Sequence, residues 1–180
     1  LEGFDNPINT GILEQYFRYG YIPAPCSIYE NIYKLEPGKL LEIRYPFRQY
    51  ETTTYWSMSE AAKRGEAQPF RGSETEAAAE LERLLKESIR GQMEADVPVG
   101  AFLSAGIDSS TVVSLMQSLS ARPVRSFTIG MWDEKFNEAD VAGKIAAHLG
   151  TEHTELYITE KDARSVIPGL AEMFGEPFAD

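Results

Sequence analysis

Apolar and polar positions follow two different rhythms along this chain, and the change of rhythm divides it. Up to about Trp56 the apolar residues are largely Tyr, Phe and Pro, in short bursts. A short helix is predicted after Asn9 or Thr10, with Ile12, Leu13, Tyr16 and Phe17 on one side. The run Tyr21-Ile22-Pro23-Ala24-Pro25 must be extended, because each proline drives its predecessor out of the helical region. Pro37-Gly38 reads as a turn into a strand over 39–44, and a second turn near Pro46 leads to a strand over 49–55, a candidate hairpin. Residues 63–72 are polar with Gly and Pro, and they form the predicted boundary. The chain is therefore expected to divide into residues 1–65 and 73–180.

A long amphipathic helix opens the second part. Ser73 can cap it, and Glu76 completes a capping box. Ala77, Leu81, Leu84, Leu85, Ser88 and Ile89 share one face at helical spacing, which predicts a core stripe. From Asp96 the pattern becomes strand, helix, strand, helix, strand, helix. The strands are predicted at 99–103, 124–129 and 153–158. One helix begins near Ser109 and buries Val112, Val113, Met116 and Leu119. The next, over 137–149, turns Val141, Ile145, Ala146 and Leu149 inward and is closed by Gly150. Thr159 with Asp162 opens a last helical region that Pro168-Gly169 splits. Such alternation implies an α/β fold with a doubly wound parallel sheet. Three strands are few for such a sheet, so the pattern reads as an incomplete one, preceded by a helix and hairpin segment.

Composition narrows the classes. The longest apolar runs are a few residues, far short of the roughly 20 that cross a bilayer, and the start of the chain has no secretory pattern. No membrane partner is expected. One cysteine, Cys26, cannot form an internal disulfide, so a reducing, cytoplasmic setting is the expectation. The formal net charge of −11 repels phosphate backbones and argues against nucleic acid. It equally repels a small polyphosphate, which could bind only through local donors and a divalent cation.

The segment Phe102-Leu103-Ser104-Ala105-Gly106-Ile107-Asp108-Ser109-Ser110-Thr111 is where such donors could gather. It is an apolar strand that ends in a turn of small residues and opens directly into a helix. Ligands of open α/β sheets bind beyond the carboxyl ends of strands. A helix N-terminus there offers unpaired N–H groups and a partial positive charge. Ser104, Ser109 and Ser110 add hydroxyls without bulk, and Gly106 lets the backbone approach a phosphate. Asp108 would repel a phosphate unless a cation lay between them, so it reads as a magnesium ligand. The segment is not a Walker A loop, since no Gly-Lys-Ser/Thr follows. On these residues alone, an anion cradle and a plain Asp-capped helix are equally open.

The loop Ser-Ala-Gly-Ile-Asp-Ser-Ser, residues 104–110, resembles the S-G-G-x-D-S pyrophosphate loop of the ATP pyrophosphatases. Its surroundings resemble the glutamine-dependent asparagine synthetase family. These are Asp96-Val97-Pro98-Val99-Gly100-Ala101-Phe102-Leu103, then Ser126-Phe127-Thr128-Ile129-Gly130, then His148-Leu149-Gly150-Thr151-Glu152-His153. Upstream, Tyr19-Gly20-Tyr21-Ile22-Pro23-Ala24-Pro25 and Leu35-Glu36-Pro37-Gly38 resemble that family's passage from glutaminase to synthetase domain. Glu176-Pro177-Phe178-Ala179-Asp180 resembles a segment of bacterial members.

The resemblance implies a PP-loop fold of the adenine nucleotide α hydrolase-like type. It implies ATP with Mg²⁺, bound through Ser104, Gly106, Asp108, Ser109 and Ser110 at the β- and γ-phosphates. Leu103 and Ile129 match positions that hold the adenine nucleoside by backbone atoms. The implied reaction joins aspartate to AMP as β-aspartyl-AMP, and ammonia from glutamine then displaces AMP to give asparagine. The family's Ser-Gly-Glu-Gly-x-Asp-Glu type segment and its N-terminal nucleophilic cysteine have no counterpart here, so neither active site is complete and the chain is expected to be an inactive fragment. Exposed sheet or helix surface would invite self-association, which leaves a homodimer among the expectations. The alternatives are a β-lactam-synthetase-like amidoligase, or a non-catalytic nucleotide-binding or structural module.

One departure is plain: Ala105 stands where the family has its first loop glycine. Alanine there is strained only if the backbone needs a positive φ. Other chemistry-bearing residues have plainer readings. His148 and His153 belong to a helix end and a strand start and lack further ligands for zinc. Asp133, Glu134, Glu138 and Asp140 read as a solvated acidic loop, Cys26 as filler, and Tyr16, Phe17, Tyr19 and Tyr21 as packing between portions of the chain.

Overall fold

The computed structural model describes residues 5–132 and 137–179. Among them the order is α1 (Leu13–Tyr19), β1 (Lys39–Arg44), β2 (Gln49–Thr54), α2 (Met58–Ala67), α3 (Glu74–Gln92), β3 (Gly100–Phe102), α4 (Ile107–Leu119), β4 (Arg125–Met131), α5 (Ala139–Leu149), β5 (Glu152–Ile158), α6 (Glu160–Val166) and α7 (Leu170–Phe174). Short 3-10 turns lie at Thr10–Ile12 and Ile167–Gly169. The chain separates into two compact units: residues 1–70 with 167–180, and residues 71–166.

In the first unit the Asn9 side chain caps the turn before α1 by accepting the Gly11 N–H at 3.1 Å. Ile12, Ile22 and Ile28 form its buried cluster, with Leu13, Tyr16, Cys26 and Tyr29 packed around. Phe17, expected inward, is 81% exposed, and Tyr19 and Tyr21 are exposed as well. A helix of seven residues makes under two turns, and here only its Ile12–Tyr16 side finds apolar neighbours. β1 and β2 pair antiparallel from Lys39↔Thr54 to Arg44↔Gln49. Gly38 has φ +74°, and a Cβ there would lie 2.1 Å from the Trp56 carbonyl oxygen, so the turn into β1 requires glycine.

Part of the predicted boundary is helical. Ser57 Oγ accepts the Glu60 N–H at 3.4 Å, and α2 runs through Ala67. The cap and three alanines outweigh Gly65 in an exposed helix. The C-terminal residues pack within this first unit. Glu176 Oε2 accepts the Ile28 N–H at 3.2 Å, its other oxygen pairs with Lys34, and the Phe174 and Phe178 rings lie 4.4 Å apart.

The second unit is built on a parallel sheet in the order β3-β4-β5. Ala101 aligns with Ser126, which aligns with His153. Burial alternates strictly along β4: Ser126, Thr128 and Gly130 face inward, while Phe127, Ile129 and Met131 are open. The covered face packs in two clusters. Leu103, Val113, Ala142 and Ala146 form one, and Ile89, Leu115, Met116 and Val124 the other. Within that face Ser126 Oγ lies 2.8 Å from both Thr151 Oγ1 and His153 Nδ1. His153 is thus held inside the sheet, while His148 is exposed on α5.

The opposite face is bare. Phe102 is 77% exposed, and Phe127, Ile129, Met131 and Leu156 line up beside it. Parallel sheets bury both faces when complete, so the architecture is an incomplete Rossmann-like parallel sheet, with the hairpin in the other unit. The same shortage of partners corrects the helix stripes. On α3 only Ile89 is buried, with Leu85 packed beside it; Leu81 and Leu84 are exposed. Val112 of α4 and Val141 of α5 are also exposed, and Leu115 and Ala142 take the inward positions instead.

Candidate phosphate-binding site

The site begins where β3 leaves the sheet. Leu103, 2% exposed, donates its N–H to the Phe127 carbonyl at 2.8 Å, and its own carbonyl accepts the buried Thr128 hydroxyl at 2.5 Å. Both polar groups of this buried residue are therefore paired with β4, which fixes the point at which the chain turns into the loop.

Three serines brace the loop. The hydroxyls of Ser104 and Ser109 lie 2.7 Å apart, and Ser109 Oγ also accepts the Ser104 N–H at 3.1 Å. Ser104 Oγ accepts the Gly106 N–H at 3.1 Å. Ser110 donates its hydroxyl to the Gly106 carbonyl at 2.7 Å. The hydroxyls expected to meet phosphate are thus spent on shaping the turn. Gly106 has φ −75° and ψ 152°, an ordinary extended conformation. Ala105 is not among the residues with positive φ, so alanine at this position carries no left-handed strain.

α4 starts at Ile107, two residues earlier than the hydrophobic pattern suggests, and no side chain caps it. The amides of Ile107, Asp108 and Ser109 have no acceptor among the described residues; the first paired amide of the helix is that of Ser110, bound to the Gly106 carbonyl at 3.2 Å. Three open donors at the positive end of a thirteen-residue helix suit an anion. Asp108 lies in this first turn, exposed, with no hydrogen-bond or ionic partner among the described residues. No group of three or more metal-ligating side chains occurs among those residues. Magnesium is commonly held by one or two carboxylates together with substrate phosphates. One free carboxylate beside open amides fits that mode and does not fit an all-protein cage.

A cleft of about 290 Å³ opens beside the loop, lined by Phe102, Leu103, Ser104, Ser109, Phe127, Thr128, Ile129 and Glu138. The structure therefore brings Leu103, Ser104, Ser109 and Ile129 onto one cleft, with Gly106, Asp108 and Ser110 in the adjoining loop and first helical turn. A larger cleft of about 740 Å³ lies at the amino ends of the strands, among Pro98, Val99, Val124 and Arg125, and holds none of these residues. Glu138, which the sequence pattern places in a solvated acidic loop, also meets the loop: its carboxylate accepts the Ala105 N–H at 3.2 Å. Asp140 of that group is exposed on α5, and Asp133 and Glu134 lie outside the described residues. No local signal marks Glu138, because the contact joins segments 33 residues apart.

A parallel strand that ends at a buried leucine, a serine-braced loop and an uncapped helix with open amides meet at one edge of an α/β protein, an arrangement suited to a phosphate-type anion. Residues 80–180, more than half of the chain, match the model of the Asparagine synthase family, and the chain belongs to that family. It is similar to a provisionally named glutamine-hydrolysing asparagine synthetase 2 of Methanocaldococcus jannaschii, 33% identical over 174 residues. It is also similar to the glutamine-hydrolysing asparagine synthetase 1 of Bacillus subtilis, 31% identical over 176 residues. These matches cover 96% and 98% of the chain but 32% and 26% of the two relatives. The chain thus spans about a third or less of the length of the curated relatives it matches.

Proposed function

We propose that this chain carries the pyrophosphate loop of an ATP-dependent synthetase that makes asparagine from aspartate, with nitrogen drawn from glutamine. The observation that carries the proposal is the set of three open amides, Ile107 to Ser109, at the carboxyl end of β3. They would receive the β- and γ-phosphates of ATP, and the serine bracing would keep the turn in shape before the ligand arrives. Leu103 and Ile129 line the adjoining cleft and would seat the adenine nucleoside through backbone atoms. Asp108 would hold magnesium, whose charge offsets that of the phosphates. The chain's residues would thus position ATP so that the aspartate side-chain carboxylate attacks its α-phosphorus, giving β-aspartyl-AMP and pyrophosphate. Ammonia would then displace AMP. Such chemistry relies on positioning and charge stabilisation.

With the second family segment absent from residues 1–180, the chain alone is proposed to bind nucleotide without forming asparagine. No helix among the described residues is long and apolar enough to cross a membrane, and a cytoplasmic setting is part of the proposal. Calorimetric titration of Mg-ATP into the chain tests the site. Saturable binding is expected, weakened about tenfold or more by Asp108→Asn, since charged contacts are the costly ones to lose. No saturable binding by the wild type would leave this segment a structural role only.

A further inference from the structure

Glu138 has no place in the site as the sequence defines it, yet it reaches the loop. Its Oε2 accepts the Ala105 N–H, and the same side chain lines the cleft with Leu103, Ser104, Ser109 and Ile129. Its position is imposed by its neighbours. Asn137 Oδ1 accepts the N–H of Met131 at 3.4 Å, at the end of β4, and the N–H of Ala139 at 3.2 Å, at the start of α5. Ala139 in turn is fully buried. Residue 138 is therefore held between two anchored positions at the carboxyl edge of the sheet.

The loop amides fall into two groups. Those of Ala105 and Gly106 are taken, by the Glu138 carboxylate and the Ser104 hydroxyl; those of Ile107, Asp108 and Ser109 are open. A carboxylate oxygen on a backbone amide has the charge and the acceptor geometry of a phosphate oxygen. We infer that Glu138 is an internal anion: in the ligand-free protein it holds the Ala105 amide, and an incoming polyphosphate must displace it. This rests on the nucleotide reading of the loop. It gives the site a built-in competitor, so that a bare polyanion meets both an occupied donor and a negative charge. Removing that charge strengthens anion binding, the opposite of what losing a merely supporting side chain does.

The test is a titration of metal-free inorganic pyrophosphate into the wild-type chain, Glu138→Gln and Glu138→Ala, with Mg-ATP titrated in parallel. The variants are expected to bind metal-free pyrophosphate roughly tenfold more tightly than the wild type, as expected from deleting a like charge at close range. In the wild type the Ala105 amide resonance is expected to shift when pyrophosphate is added. Unchanged or weaker pyrophosphate binding in both variants, with Mg-ATP still bound, overturns this inference alone. So does an Ala105 amide resonance that stays in place at saturation. Absence of saturable Mg-ATP binding in the wild type and in Glu138→Ala removes the nucleotide site and this role together.

Discussion

Two helix starts in the same unit, those of α3 and α4, face the same physical problem and answer it differently. Each leaves backbone N–H groups without helical acceptors. At α3 the chain supplies its own answer: Ser73 Oγ accepts the Glu76 N–H at 3.3 Å, and Glu76 Oε2 accepts the Ser73 N–H at 2.7 Å. α6 is closed in the same way, with Thr159 and Asp162 exchanging bonds of 2.8 and 3.2 Å. At α4, Gly106 can offer no side chain and three amides stay open. α3 and α6 present their capped ends to solvent, whereas α4 starts just past β3 and the buried Leu103, next to a cleft. An end that closes on itself is architecture; an end left open beside a cleft has donors to offer a ligand.

The sharpest challenge to that contrast is to remove one open donor and nothing else. Ile107→Pro does this. Proline is favoured at the first helical position, Gly106 already has the extended conformation that precedes a proline, and the Ile107 side chain is exposed. Hydrogen bonds to charged groups contribute about 1.5–3 kcal/mol, so Mg-ATP affinity is expected to fall roughly 10- to 100-fold while the unfolding midpoint stays put. Unaltered affinity would reduce α4 to a second α3. The converse substitution, Ser73→Ala, is expected to cost about 1 kcal/mol in denaturant unfolding and to leave Mg-ATP binding untouched.

The smallest expected effect is in pH. The Ser73 N–H, and after it the Ser73 hydroxyl, hold the Glu76 carboxyl below its ordinary range. A carboxyl with a lowered folded-state pKa contributes stability above its unfolded value of 4.5, and loses it as pH falls through the folded value. Glu76 is exposed, so the contribution is modest. Acid unfolding curves should show it below about pH 4.5, and Glu76→Gln should flatten that part of the curve. A wild-type curve that the substitution leaves unchanged would show that the reciprocal cap at α3 carries no stability.

Much of this contrast is legible in the sequence because caps are local. Ser73 and Glu76 sit three residues apart, and so do Thr159 and Asp162, and neither pair needs a distant partner to act. The strand–loop–helix order around residues 102–111 is equally local, and it brings the open end of α4 to a strand's carboxyl end. What the pattern could not show is which side of an apolar stripe would be met. Leu81, Leu84, Val112 and Val141 have the spacing of core residues but are exposed, because burial depends on what packs opposite.

By itself, then, the sequence determined the elements other than α2, the caps of α3 and α6 and the place of the loop, since each follows from residues within a turn or two of one another. Tertiary structure alone decided three things. The first is that the Ser104 and Ser109 hydroxyls bond each other while that of Ser110 goes to the Gly106 carbonyl. The second is that one sheet face stays open, from Phe102 across to Leu156. The third is that Glu138 meets the Ala105 amide. The physical reason is common to the last two: each depends on segments far apart in the chain being brought within contact distance, and no periodicity records that.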